Sequence, residues 1–93
     1  LHPVYKMLLK IPKGRVTTYG AIGKKLGLNP RHVGKILHVN KGAPKIPCHR
    51  VIKSDGSVAS GYAFGGPGMQ RKMLEKEGVI FKNNKAEKAH FTF

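Results

Sequence analysis

Three consecutive residues, Cys48, His49 and Arg50, place a thiol, an imidazole and a guanidinium side by side near the middle of the chain. A cysteine reacts as its thiolate, and an unperturbed thiol with a pKa of ~8.5 is only slightly ionised at neutral pH, so nearby positive charge increases its reactivity. The segment therefore predicts a nucleophilic Cys48. If the segment is a strand, adjacent side chains point to opposite faces, and His49 reaches the sulfur only through a backbone turn or a bridging water.

Cys48 is the sole cysteine, which excludes an internal disulfide and a zinc site built from several thiolates. A lone cysteine is also compatible with a small buried apolar residue, and that interpretation stays open on the residue type alone. A papain-like protease needs a much longer chain to build its cleft. No pair of potential ligands has zinc-finger spacing, so no metal site is predicted.

The charge of the chain points to a polyanionic partner. The 93 residues carry a net charge of +14, and the first 54 hold twelve lysines and arginines but no acidic residue. Such a surface attracts nucleic acid with an affinity that falls with salt. An anionic membrane is the second candidate, but no apolar run reaches the ~20 residues that span a bilayer and no signal-peptide pattern opens the chain. We therefore expect an intracellular protein that binds nucleic acid.

The first half of the chain has the pattern of three short helices. Apolar residues at helical spacing predict an amphipathic helix within His2–Ile11, which Pro12 and Gly14 end. Thr17 or Thr18 can cap a second helix that ends at Gly27, and Asn29 followed by Pro30 can begin a third. Two helices joined by a tight glycine-containing turn are typical of a helix-turn-helix. The third helix is expected to expose a set of basic side chains: Arg31, His32, Lys35 and His38.

The second half predicts a small β element and one more helix. The run from Cys48 to Ile52 is rich in β-branched residues, and Ser54-Asp55-Gly56-Ser57 is a hairpin signal before Val58. A last helix is expected over Met69–Glu77, with Met69, Met73 and Leu74 apolar and Gly78 as its stop. The basic tail, 82–93, is either a short strand or a frayed end. Length favours one domain over 1–93, too small for a Rossmann fold or a TIM barrel. The expected fold is mainly α with a small β wing, a winged helix-turn-helix.

Several motifs in this order resemble the DNA-binding and active-site domain of the O6-alkylguanine-DNA alkyltransferases. They are VTTYGAI, PRHVGKILHVN, IPCHRV, GY followed by GG, and a helix that ends in EG, and together they cover roughly Pro3 to Phe81. IPCHRV is the most specific, because alkyltransferase-like proteins, which bind the lesion without repairing it, have another residue in place of the reactive cysteine.

The resemblance implies a role for five residues. Cys48 accepts the alkyl group from guanine O6 by direct displacement. His49 deprotonates the thiol through a water and is held by Glu77, which is triad logic with a water inserted. Asn40 orders the turn before the cysteine by side-chain hydrogen bonds to the backbone. Tyr19 points its hydroxyl at guanine N3 and assists the leaving group, although packing at the start of a helix explains a tyrosine there equally well.

The resemblance also implies how the base is held. The carbonyls of Cys48 and Val51 accept from the exocyclic amine of guanine. Tyr62, with Ala63 and Phe64 after it, lines the pocket. This stretch is one residue longer than the common pattern and has no serine after the tyrosine, so the backbone amide that meets O6 is left open.

A target base inside a duplex must be flipped out to reach the thiol. By the resemblance, Arg31 fills the gap that the base leaves, and the third helix lies in the minor groove, where readout is degenerate. Thr18, Lys35 and Arg50 complete the expected DNA contacts, and a solvated helix face remains the alternative for Arg31 and Lys35.

These observations predict a single-turnover DNA repair protein that transfers an alkyl group from O6-alkylguanine in double-stranded DNA to Cys48. No cofactor is expected, since a family-typical zinc ion is structural and its usual ligands are not evident. We expect a monomer, located in the cytoplasm or, in a eukaryote, the nucleus. Family members commonly carry an N-terminal domain, so a short form, a fragment and a part of a fusion all stay open. The alternatives are a lesion-binding module without transfer activity and a winged-helix regulator.

Overall fold

The structure is a computed structural model and describes residues 2–42, 45–59 and 65–92. Four α-helices and two pairs of short strands form it, in the following order: α1 (Pro3–Leu8), β1 (Thr17–Thr18), α2 (Tyr19–Leu26), α3 (Pro30–His38), a 3₁₀ turn (Cys48–Arg50), β2 (Val51–Ile52), α4 (Gly66–Lys76), β3 (Phe81–Lys82), β4 (Lys85–Ala86) and a second 3₁₀ turn (Lys88–His90). The predicted class, mainly helical with a small β component, is confirmed. Every described helix is too short or too polar to cross a bilayer.

The helix-turn-helix is set by local signals. The Thr18 side chain accepts from the amide of Ala21 and caps α2, and the Asn29 side chain accepts from the amide of Arg31 and caps α3. Gly27 ends α2 at φ 68°, in the left-handed region that a C-cap glycine adopts. The two helices were predicted with these caps, and the prediction is confirmed.

A close approach fixes the angle between α2 and α3. A side chain at Gly23 would collide with the backbone carbonyl of Leu28 in the turn between the helices. Both helices pack with α1 around one apolar cluster, whose fully buried members include Val4, Leu8 and Ile22. Cys48 is itself part of this cluster.

The β component differs from the predicted wing. The turn forms, with the Lys53 amide donating to the Ser57 carbonyl at 3.0 Å. However, β2 pairs in parallel with β1, Thr17 with Val51 and Thr18 with Ile52, and no described strand follows the turn at Val58. The strand expected from Cys48 begins only at Val51, because Cys48–Arg50 coil into the 3₁₀ turn.

Helix α4 begins three residues earlier than expected and presents a different face to the core. Gln70 and Leu74, four residues apart on one side, are fully buried, whereas Met69, predicted to be apolar core, is 43% exposed. Leu74 joins a second apolar cluster with Val16, Ile52, Val79 and Ala86.

The C-terminal tail is folded as far as the described residues extend. β3 and β4 form an antiparallel hairpin around Asn83 and Asn84, both at positive φ. The tail then returns to the start of β1, where Val16 donates to His90 and Thr92 donates to Val16, each at 2.8 Å. The sequence left open whether this segment forms a short strand or frays, and the structure shows short strands.

Candidate active site

Cys48 lies at the first position of the 3₁₀ turn and is buried, with 5% of its surface exposed. Burial raises the pKa of its thiol, while a hydrogen bond from the Asn40 side chain acts in the opposite direction and lowers it. The expectation that neighbouring positive charge activates the thiol is therefore not met. The Asn40 side chain favours the thiolate, and a backbone hydrogen bond lowers the pKa of the thiol in the same way.

Asn40 follows α3 directly and is 2% exposed. Its amide nitrogen donates to the carbonyl of Ile46 at 2.9 Å and its oxygen accepts from the amide of Gly42 at 2.9 Å. The side chain thus ties both sides of the loop that leads to Pro47 and Cys48. This is the geometry that a residue ordering the active-site turn requires.

His49 and Glu77 are in contact across the molecule. The Nε2 of His49 lies 3.0 Å from a carboxylate oxygen of Glu77, the residue that caps the C-terminal end of α4. Burial lowers the pKa of the imidazole, although hydrogen bonding to Glu77 and the charge of its carboxylate raise it. A neutral imidazole therefore donates from Nε2 to Glu77, which leaves Nδ1 as the ring nitrogen with a free lone pair. Nδ1 is buried and has no hydrogen-bond partner.

Arg50 completes this network. Its Nε and Nη2 donate to the two oxygens of Glu77 at 2.9 and 2.7 Å, and its Nη1 donates to the carbonyl of Ile11 at 2.6 Å. Burial alone would raise the pKa of Glu77, but the hydrogen bonds and positive charge of Arg50, together with His49, hold it below its ordinary value. The guanidinium is 12% exposed and all three of its nitrogens have partners inside the protein. The expected DNA contact of Arg50 is therefore not supported, because the guanidinium is already hydrogen-bonded to Glu77 and to the Ile11 carbonyl.

Tyr19, at the first position of α2, lies half-buried beside the same centre. Burial raises the pKa of its hydroxyl, and the charge of the Cys48 thiolate raises it further, so the two groups are close enough to interact. The ring also packs near α3, where a side chain at Gly34 would come within 3.9 Å of it. A cleft of about 420 Å³ opens here, lined by Tyr19, Gly20, Pro30, Lys53, Ser54 and Asp55.

The carbonyls expected to read guanine already have one partner each. That of Cys48 accepts from the amide of Val51, and that of Val51 accepts from the Gln70 side chain at 2.8 Å. Each carbonyl oxygen keeps a second lone pair. The pocket residues Tyr62, Ala63 and Phe64 lie outside the described residues.

The remaining predicted contacts lie on the helix-turn-helix surface. Arg31 and Lys35 are exposed on α3, as are His32 and His38, so the predicted outward face is confirmed. Thr18 is half-buried at the start of α2, where its hydroxyl oxygen caps the helix. The structure therefore separates two groups: a buried centre around Cys48 and an exposed basic face on α3.

Sequence reasoning did not predict the role of two side chains, Tyr5 and Gln70, in supporting the buried centre. Tyr5 donates from its hydroxyl to the carbonyl of Ile36 in the last turn of α3, and no local signal marks it. Gln70 bonds to the backbone on both sides of Arg50. Its burial was predictable, because Gln70 lies four positions before the apolar Leu74 and therefore on the same face of the helix.

The family-typical zinc ion finds no ligand set in this chain: within residues 2–42, 45–59 and 65–92, no three histidine, cysteine or acidic side chains come together. The donor chemistry described here does not fit that group.

The sequence was compared with known families and proteins. A family profile described as 6-O-methylguanine DNA methyltransferase, DNA binding domain, matches residues 2–79. A methylated-DNA–protein-cysteine methyltransferase of Pyrobaculum aerophilum is 47% identical over 73 residues, which are 78% of this chain and 48% of that protein. One of Candida glabrata is 42% identical over 86 residues, which are 90% of this chain and 41% of that protein. The chain thus spans less than half the length of these relatives.

Solved structures give the same fold. S. pombe Atl1, crystallised in complex with damaged DNA containing O6-carboxymethylguanine, aligns with a TM-score of 0.74 and 34% identity. The alignment covers 85% of this chain and 75% of that one.

Proposed function

The chain belongs to the family of 6-O-methylguanine DNA methyltransferase DNA-binding domains, and from that premise we propose that it repairs O6-alkylguanine in DNA by moving the alkyl group to Cys48. The proposal rests on the contact of the buried His49 with the partly exposed Glu77, next to a buried thiol. A neutral imidazole with a free Nδ1, in the residue that follows Cys48, can serve as a general base, which a merely structural cysteine does not need.

The transfer starts with removal of the thiol proton. Nδ1 of His49 takes this proton through a water, and the carboxylate of Glu77, which accepts from Nε2, stabilises the imidazolium that forms. The thiolate then attacks the alkyl carbon attached to O6. A sulfur–carbon bond forms while the carbon–O6 bond breaks, and the electron pair of the broken bond passes to guanine.

Tyr19 supplies a proton to the departing base at N3. Burial raises the pKa of the Tyr19 hydroxyl, and the charge of the Cys48 thiolate raises it further, so the proton is held while the thiolate exists. Alkylation converts the thiolate into a neutral thioether and removes this cause, which makes Tyr19 a better acid as guanine leaves. The proton held by His49 then passes through solvent to the Tyr19 phenolate, so the net change is thiol plus alkylguanine to thioether plus guanine. A thioether has no easy route back, so each molecule acts once.

We further propose that α3 docks on DNA and that Arg31 holds the gap left by a flipped nucleotide. The exposed Arg31 and Lys35 supply the charge for phosphate contacts. The S. pombe structure with damaged DNA supports DNA as the partner of this fold. Burial of Cys48 supports flipping, because a base stacked in a duplex cannot bring O6 to a buried sulfur.

Intact-protein and peptide mass spectrometry after incubation with a duplex that contains O6-methylguanine tests the proposal. We expect one methyl group on Cys48 and none elsewhere, in stoichiometric amount. The matched variant Cys48→Ala is expected to gain no methyl group while it still prefers the lesion duplex over an undamaged one. Wild-type protein that stays unmodified would contradict the transfer reaction.

A second candidate is a lesion-binding module without transfer activity. It is favoured by the structural likeness to S. pombe Atl1, which was crystallised with damaged DNA and aligns with a TM-score of 0.74. The same experiment distinguishes the two: unmodified wild-type protein that binds the lesion duplex in preference supports this second function.

A further inference from the structure

Gln70 is a fully buried polar residue in the middle of the fold. Its amide nitrogen donates to the carbonyl of His49 at 3.0 Å and to the carbonyl of Val51 at 2.8 Å, and its oxygen accepts from the amide of Ala59 at 2.8 Å. Both amide protons and one oxygen lone pair are thus used, each on a backbone group. The side chain joins α4 to the segment that directly follows Cys48.

The two carbonyls that Gln70 holds flank Arg50, at the point where the 3₁₀ turn becomes β2. A carboxamide is planar and its two protons diverge at a fixed angle, so the pair of hydrogen bonds fixes the distance between these carbonyls and the plane of each. Apolar packing alone does not orient a carbonyl, since dispersion contacts are non-directional. Gln70 therefore constrains the direction of the Val51 carbonyl, in addition to the pairing of β2 with β1.

We infer that Gln70 is a positioning residue that aims the free lone pair of the Val51 carbonyl at the exocyclic amine of guanine. Gln70 accounts for one lone pair of this oxygen, and because Val51 is fully buried in the free protein, the second becomes available only when the flipped base enters. The consequence is selectivity for guanine over hypoxanthine, which has the same O6 but no exocyclic amine. The inference rests on the proposed function, because it concerns the same pocket and the same transfer.

The test compares single-turnover transfer from O6-methylguanine and from O6-methylhypoxanthine in the same duplex. Wild type is expected to prefer O6-methylguanine, and the share of that preference supplied by the Val51 carbonyl is about 2- to 10-fold, the worth of one neutral hydrogen bond. Q70M keeps the volume but removes every hydrogen bond, and its preference is expected to fall by about this factor. The ratio of the two rates does not depend on the folded fraction, so a loss of stability alone does not move it.

Two further variants separate the donors from the acceptor. Q70K can donate to both carbonyls but cannot accept from Ala59, and it is expected to keep most of the preference. Q70E can accept from Ala59 but has at most one proton for two carbonyls, and this variant is expected to lose the preference for O6-methylguanine. Q70E also supplies the comparison if Q70M does not fold.

Leu74→Ala is the matched control, because Leu74 is equally buried, one turn along the same helix, in the second apolar cluster. It is expected to lower stability and leave the ratio of rates unchanged. Equal preference in wild type and Q70M, or equal rates on both lesions in wild type, would overturn the inference while leaving alkyl transfer intact. Absence of transfer from either lesion would instead refute the proposed function, and the inference with it.

Discussion

Replacing Glu77 by glutamine tests the network that holds the proposed base. The carboxylate is 14% exposed and accepts three hydrogen bonds, two from Arg50 and one from His49. Glutamine has nearly the same shape but no charge and only one oxygen. It leaves the guanidinium of Arg50, 12% exposed, without its counter-charge.

The expected loss of stability follows from this geometry. Removing one partner of a buried ion pair costs ~3–5 kcal/mol. The oxygen that glutamine retains and the partial exposure of both groups reduce this, and we expect about 2–3 kcal/mol for E77Q. A domain of this length has a total stability of roughly 5–14 kcal/mol, so the variant still folds. Its melting temperature is expected to fall by ~10–20 °C.

The pH dependence identifies the cause. The pKa of Glu77 is held below its ordinary value in the folded state, so its contribution is present above the unfolded value of ~4.3 and is lost as the pH falls through the folded value. The gap between wild type and E77Q therefore narrows below about pH 4. As the pH falls from ~6.5 to about 4, the stability gap between wild type and E77Q widens. E77Q removes the attraction between Glu77 and His49 that raises the pKa of His49, so the folded-state pKa of His49 is lower in the variant. A lower folded-state pKa means a larger loss of stability on acidification.

Urea unfolding followed by circular dichroism, at pH 7 and at stepwise lower pH, measures these differences. Glu75→Gln is the matched control on the same helix, because Glu75 is 51% exposed and its contact with Arg71 is 3.6 Å long. It is expected to cost less than ~0.5 kcal/mol. An E77Q loss as small as that of the control at pH 7, or a gap that does not change with pH, would refute the reasoning.

Three other predictions address the DNA face, the base and the helix-turn-helix. Arg31→Ala is expected to slow transfer from a duplex more than transfer from a single strand, measured in single-turnover assays, and equal losses would place the gap-filling role elsewhere. Because burial lowers the pKa of His49, the transfer rate is expected to hold as the pH falls to ~6.5 and to decline only below it; a decline centred above that value would contradict His49 as the base. Gly23→Ala is expected to destabilise the fold by more than ~1 kcal/mol in thermal unfolding, because its methyl group meets the Leu28 carbonyl, whereas Gly20→Ala, with no atom closer than 4.0 Å, is expected to be neutral or stabilising.

The parts of the fold that the sequence predicts are those with local causes. Asn29 and Pro30 begin α3, and Gly27 ends α2, through contacts within a few residues of each, so periodicity and caps suffice. The Asn83-Asn84 turn was also readable, because two asparagines in the left-handed region are typical of a two-residue hairpin. The tail was expected to be either a short strand or a frayed end, without this turn.

Long-range pairings were not predictable in the same way. β1 and β2 are two residues each and are separated by more than thirty positions, so neither carries a pattern that specifies its partner. Arg50 looked like a DNA contact because charge in a basic chain is the common explanation. Its commitment to Glu77 depends on where α4 ends, which no single segment encodes.

The positive charge of the chain does not by itself make Cys48 reactive. The net charge is +14, yet burial raises the pKa of the thiol, and the adjacent guanidinium of Arg50 is neutralised by Glu77 at 2.7 Å. A resting thiol that is protonated at neutral pH reacts slowly with free alkylating agents, because the thiolate is the nucleophile. Proton removal is therefore part of the proposed reaction rather than a property of the resting protein. This makes the base His49, with its lowered pKa and free Nδ1, the group on which the rate depends.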